Sequence, residues 1–126
     1  MATTAQFAAT PRIASVSVAT ADSSYTAPSN VGTLITAASS GTKVNEIVVK
    51  CAATSTAAIV RIFLYDGTNY WLFDEVTITA ATGSSTVQQT RVSTSYSNLV
   101  LPSGWSVRVT TSVAQTTHVT ALGGDL

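Results

Sequence analysis

A chain of 126 residues and 13.0 kDa is sized for one domain with a single core. Six Lys and Arg balance six Asp and Glu, which argues against nucleic acid and against an anionic membrane surface as partners, since both select a basic excess. Only 10% of the residues are charged against 45% hydrophobic, so Thr and Ser must cover much of the surface, as suits a protein whose exterior is partly covered by neighbours.

No window holds apolar residues at helical spacing for three turns, and β-branched residues recur throughout, so the chain reads as all-β. The opening MATTAQFAATPR lacks the basic start and apolar run of a signal peptide. No stretch approaches the length of an apolar membrane-spanning helix. Residues 1–11 are small and polar and end at Pro11, predicting an extended arm ahead of a single domain over residues 12–126. Strands are then predicted over Arg12–Ala19, Gly32–Ala37, Lys43–Cys51, Ala57–Tyr65, Asn69–Thr79, Thr86–Val92, Ser97–Leu101, Trp105–Thr111 and Thr117–Leu122. Turn clusters separate them at Ala27-Pro28-Ser29-Asn30, Ser39-Ser40-Gly41, Thr82-Gly83-Ser84-Ser85 and Pro102-Ser103-Gly104. This pattern predicts a jelly-roll or similar Greek-key β-sandwich of about eight strands. An immunoglobulin-like sandwich is the alternative, weakened because the Cys…Trp…Cys pattern is missing.

The segment Ile59–Ile78, IVRIFLYDGTNYWLFDEVTI, carries the strongest local signal. Two runs rich in β-branched and aromatic residues flank Asp66-Gly67, a dipeptide suited to tight turns, and predict a hairpin. Val60, Ile62 and Leu64 alternate with Arg61, Phe63 and Tyr65, and on the return Leu72, Val76 and Ile78 alternate with Trp71, Phe73 and Glu75. One face fills a core. The other still carries aromatics that need cover, so Phe63, Tyr65, Trp71, Phe73 and Arg61 are the candidate protein-interface residues. Glu75 reads as a diagonal ion-pair partner of Arg61.

The residues that carry chemistry elsewhere are sparse. His118 is the sole histidine and lies in a strand-like run, so it cannot make a multi-histidine metal site. Cys51 is the sole cysteine; it excludes an intrachain disulfide and reads as a buried apolar thiol. Asp74 and Glu75 are strand neighbours that point to opposite faces and cannot act as paired carboxylates. Asp66 with Asn69 offers too few oxygens for calcium, and turn chemistry explains both. Gly123-Gly124 reads as a flexible exit. There is no Gly-x-Ser-x-Gly elbow. The expectation is a protein that is not an enzyme, with no cofactor and no metal.

A series of blocks then bears on function: Val31–Ala37 (VGTLITA), Lys43–Val49 (KVNEIVV), Val60–Gly67 (VRIFLYDG), Tyr96–Trp105 (YSNLVLPSGW) and Ala121–Asp125 (ALGGD). Together they resemble small structural proteins of tailed bacteriophages, similar in size and character to capsid decoration, or cement, proteins. The resemblance spans about residues 22–126 and leaves the N-terminal arm outside it. It implies a homotrimer on the outer surface of a virion, made in the host cytoplasm, with the major capsid protein as partner. It carries no catalytic residues.

Two alternatives come from other classes. One is a carbohydrate- or host-surface-binding module that uses the aromatic hairpin; the other is a tail or neck structural protein. Exposure of Trp71 or Tyr70 in a groove beside Asn69 and Asp66 favours a glycan site, whereas protein cover over them favours cementing.

Overall fold

The computed structural model describes residues 9–126, so most of the expected arm, residues 1–8, lies outside the described residues. Alternating burial and Gly, Pro and Ser turns divide the chain into eight strands: β1 (Thr10–Val18), β2 (Gly32–Thr36), β3 (Thr42–Cys51), β4 (Ala58–Tyr65), β5 (Tyr70–Ile78), β6 (Arg91–Leu101), β7 (Ser106–Thr111) and β8 (Thr117–Asp125). They form two four-stranded antiparallel sheets with orders β1-β8-β3-β6 and β2-β7-β4-β5. The architecture is a β-sandwich. Only the β4–β5 hairpin joins sequence neighbours within a sheet; each other connection passes from one sheet to the other.

Period-2 alternation explains why the layers close. In β3, Val44, Ile47, Val49 and Cys51 turn inward, and in β7 Val107 and Val109 do. They meet Val60 and Ile62 of β4, Val76 and Ile78 of β5, and Val119 and Ala121 of β8 in one dry cluster. Cys51 is part of that cluster, only 1% exposed, so the thiol packs as a small apolar side chain. The outer face of the first sheet carries Ser15, Ser17, Ser93 and Ser95 on its edge strands, with His118 exposed in β8 opposite Ser17 and Lys50.

Three sequence expectations change. The runs Thr86–Val92 and Ser97–Leu101 are not separate strands: residues 86–90 belong to a loop, and Arg91–Leu101 is continuous. Ser93, Ser95 and Ser97 occupy alternate exposed positions of this edge strand, where small hydroxyl side chains fit. Thr10 and Pro11 are not arm but the start of β1, paired with Asp125 and Gly124. Gly123-Gly124 is likewise no flexible exit, since both lie in β8 between β1 and β3.

A polar latch closes this end of the sandwich. The buried Thr42 hydroxyl donates to Asp125 Oδ1 at 2.7 Å and accepts from the Ala38 N–H at 2.9 Å. Arg12 Nη1 reaches the same carboxylate at 3.1 Å. Thr42 first, then Arg12, holds the Asp125 carboxyl below the usual carboxylate range. The latch ties β1, β3 and β8 together.

Beside the latch, β3 carries an extra residue, Asn45, between the pairs Val44–Gly123 and Glu46–Leu122. The bulge presses the Lys43 carbonyl against Gly123, where any Cβ would collide with that oxygen. Gly123→Ala therefore forces the strands apart and is expected to cost about 3 kcal/mol. Gly104→Ala meets no atom but retains a φ of 90°, and is expected to cost only about 1 kcal/mol. Urea melts of the two variants measure the difference.

Candidate functional site

The hairpin turn is built by one carboxylate. Asp66 Oδ1 accepts the Thr68 and Asn69 N–H groups at 2.8 and 2.7 Å, and Gly67 takes a φ of 99° that only glycine adopts easily. Asp66 Oδ2 accepts Trp71 Nε1 at 3.1 Å, which fixes the indole at the hairpin end. These bonds, led by that from Asn69, hold the Asp66 carboxyl below the usual range. Both Asp66 carboxylate oxygens thus accept N–H donors.

The two faces of the hairpin differ from strict alternation. Ile62 pairs with Asp74, but the next residue, Phe63, pairs with Leu72, so Phe73 is an extra residue in β5. Beyond this bulge the faces exchange. Leu72 and Tyr70 oppose Phe63 and Tyr65 on the outer face, and Trp71 opposes Leu64. Arg61 sits directly opposite Glu75 rather than diagonal to it, with Nε 3.4 Å from Glu75 Oε2. That contact is an ion pair without hydrogen-bond alignment.

The chain covers much of this outer face itself. Phe63 is fully buried, with Tyr70 packed edge-on at 5.9 Å. Tyr70 also lies 4.5 Å from Tyr65. Arg108, from β7, stacks 4.1 Å from the Tyr65 ring centre and donates to the Tyr70 hydroxyl. Arg61 is covered by Tyr25: its guanidinium lies 4.3 Å from the ring centre, and Nη2 donates to the Tyr25 hydroxyl at 3.0 Å. Arg61 and Phe63 are therefore corrected from interface candidates to interior residues. The cover that their alternation demanded comes from the β1–β2 loop and from the hairpin's own tyrosine.

Asp22 organises that loop. Its carboxylate accepts the N–H groups of Ser24 at 3.0 Å, Ser29 at 2.8 Å and Asn30 at 2.9 Å, while its own N–H donates to the Thr111 carbonyl at the end of β7. The backbone donors, Asn30 first, draw its carboxyl below the usual range. Sequence reading passed over Asp22 and Tyr25 because their partners lie far along the chain; Asp22 followed by Ser24 was the local sign of a side-chain-capped turn.

Trp71 and Phe73 stay exposed, at 53% and 40%, with Leu72 between them, on a strand that forms the edge of its sheet. They line different concavities. Trp71, Leu72, Tyr70 and Asn69 face the loop residues Tyr25 and Pro28 across a groove. Phe73 lies with Tyr96 of β6, ring centres 5.4 Å apart, beside Ser95, Ser97 and Asn98. Tyr96 donates to Asp74 Oδ2 at 2.8 Å and bridges the two sheets; burial, then this bond, raises its phenol well above the usual range. Tyr65 is half-buried and donates to the Gly67 carbonyl.

The chemistry-bearing residues do not converge. Cys51 and His118 lie at adjacent register positions of β3 and β8 but on opposite faces, one buried and the other exposed, while Asp66 and Asp74 lie in the β4–β5 hairpin of the other sheet. Among the described residues no group of three His, Cys, Asp or Glu side chains comes together. No protein-family model, curated protein or solved structure matches the chain.

Two predictions follow from this geometry. Phe63→Ala is expected to destabilise the isolated protein by about 3–5 kcal/mol, as Ile62→Ala does by about 2–5 kcal/mol, because both faces of β4 are interior. Trp71→Ala is expected to change stability by about 1 kcal/mol or less; denaturant melts compare all three.

Acid should release the β1–β2 loop. The folded Asp22 value lies below the roughly 3.9 of an unfolded aspartate, so its bonds stabilise the fold above that pH and are lost as pH falls through the folded value. The amide resonances of Ser24, Ser29 and Asn30 should titrate together below pH about 3.9. Asp22→Asn should abolish that step and weaken at least one of the bonds.

Proposed function

We propose that this protein is a structural component of a tailed-phage virion, a capsid decoration protein that attaches to the outer shell and bridges major capsid protein subunits. The observation that carries the reading is the apolar edge of β5: Leu72 and Phe73 are exposed on a strand whose outer backbone edge has no partner strand among the described residues. An apolar open edge is an association surface, because isolated soluble domains blunt such edges with charge, proline or cover. The low charge of the whole chain and its Thr/Ser exterior support the same reading. The mechanism is adhesive and needs no catalytic group. Binding the assembled lattice, and not its dissociated subunits, raises shell stability by linkage.

In this reading the sandwich is a jelly roll. The orders β1-β8-β3-β6 and β2-β7-β4-β5, with a cross-sheet return after every strand but β4, support two nested Greek keys. The protein acts as a homotrimer in this reading. The contact residues are Phe73, with Leu72 and the adjoining Tyr96 rim, in place of the interior Phe63 and Arg61.

The test is cosedimentation with empty expanded capsids of the encoding phage, followed by imaging of the bound particles. Wild type is expected to decorate the shell as trimers. Phe73→Ala should weaken attachment at least tenfold while leaving the melting temperature within a few degrees. A protein that stays monomeric and off the shell contradicts the proposal.

A further inference from the structure

The groove between the β1–β2 loop and the β4–β5 hairpin has the form of a small-ligand site. Its volume is about 840 Å³, within the roughly 300–1,000 Å³ typical of such sites. It is walled by Tyr25 and Pro28 on one side and by Asn69, Tyr70, Trp71 and Leu72 on the other, with Thr26 and Thr68 at its rims. None of the described residues that line it is charged. Such a lining supplies no cation to a phosphate or a carboxylate, and it disfavours nucleic acid, whose backbone requires cations.

The lining does offer two aromatic platforms held in place. Tyr25 and Trp71 are 54% and 53% exposed, yet each is pinned at its polar end, Tyr25 by Arg61 Nη2 and Trp71 by Asp66 Oδ2. Their exposed surfaces are thus fixed before any ligand arrives, so little side-chain freedom is lost on binding. An aromatic face is electron-rich and attracts the weakly positive C–H face of a pyranose ring. The Asn69 amide and the threonine hydroxyls supply neutral donors and acceptors beside it, the complement of sugar hydroxyls.

We propose that this groove binds an uncharged glycan, with a pyranose ring seated against Trp71 and its hydroxyls met by Asn69 and the flanking threonines. The groove meets the proposed capsid contact only at Leu72, since Phe73 lines a different concavity. A proline-rich peptide is the competing occupant of an aromatic groove, but it uses the rings and leaves the amide and hydroxyls of the rim without matching partners.

The experiment uses the full chain in saturation-transfer NMR. The probes are methyl glycosides of glucose, galactose, mannose and N-acetylglucosamine, their neutral oligomers, sialyllactose and a proline-rich decapeptide. At least one neutral glycoside series is expected to bind, with a dissociation constant on the order of 1 mM for the monosaccharide. Trp71→Ala should weaken binding at least tenfold and Asn69→Ala severalfold, while Phe73→Ala leaves it unchanged; matching thermal melts show that the variants are folded. Trp71→Phe, which retains a ring, should restore part of the binding. The proposal is overturned if no neutral glycan binds, if binding survives Trp71→Ala, or if sialyllactose or the decapeptide alone binds. It is also overturned if Trp71→Ala reduces only capsid cosedimentation, which would assign the groove to the shell.

Discussion

A buried guanidinium sets much of the outer architecture of this sandwich. Arg61 lies mid-strand in β4, on the face opposite the core, and is 6% exposed. Removing such a charge from water carries a penalty of several kcal/mol unless partners replace the solvent. Those partners are few: the Glu75 carboxylate, the Tyr25 hydroxyl and the Tyr25 ring. Nη1 has no acceptor among the described residues, and the cation–π contact adds to the compensation by about 1 kcal/mol, since Tyr25 keeps one side open to solvent. Tyr25 must therefore lie over β4, and the β1–β2 loop must fold back to bring it there. Asp22 holds the loop in that path through three backbone donors. The groove exists because the loop lies there.

The β5 bulge sets the other wall. Without the extra residue at Phe73, Leu72 would share the core face of Val76 and Ile78, and Trp71 would lie on the face of Glu75. The bulge reverses the end of the strand instead. Tyr70 and Leu72 join the outer aromatic layer, and Phe73 swings towards Tyr96 at the rim of the opposite sheet. Three consecutive large apolar residues are thereby left at one edge and face two different concavities. Bulges of this kind commonly re-aim side chains at working surfaces.

Much of the framework was legible from residues alone. Strand positions, the Asp66-Gly67 turn, the buried Cys51 and the inward Val60 and Ile62 follow from period-2 alternation and turn chemistry, both of which act within a few residues. What was not legible depends on distant partners. A bulge is invisible to alternation until the partner strand is known, so Leu72 was placed on the core face. Arg61 and Phe63 were correctly read as needing cover, but the cover was assigned to another subunit because Tyr25, 36 residues from Arg61, gave no local sign of its role. Gly123-Gly124 looked like an exit for a similar reason: the need for a side-chain-free position arises from the Lys43 carbonyl of a strand about 80 residues away.

The two surfaces have complementary energetic requirements. On the proposed function, the attachment site must hold against dissociation from the shell, and an exposed aromatic such as Phe73, covered on contact, supplies that kind of hold. A sugar groove can be weak on its own. A shallow neutral site forms few hydrogen bonds that solvent does not already provide, so millimolar affinity for one copy is the physical expectation. Copies fixed on one rigid shell, as proposed, would change the arithmetic. Once the first groove engages a surface bearing many glycans, later events occur at high effective concentration, and avidity can exceed single-site affinity by factors of about 10² to 10⁴ where the spacing permits. Adhesion to the shell would thus convert a groove too weak to act in solution into one that can hold a particle against a glycan-coated surface. In the same proposal preorganised rings matter, because any ordering cost at each site would be multiplied by the number of sites engaged.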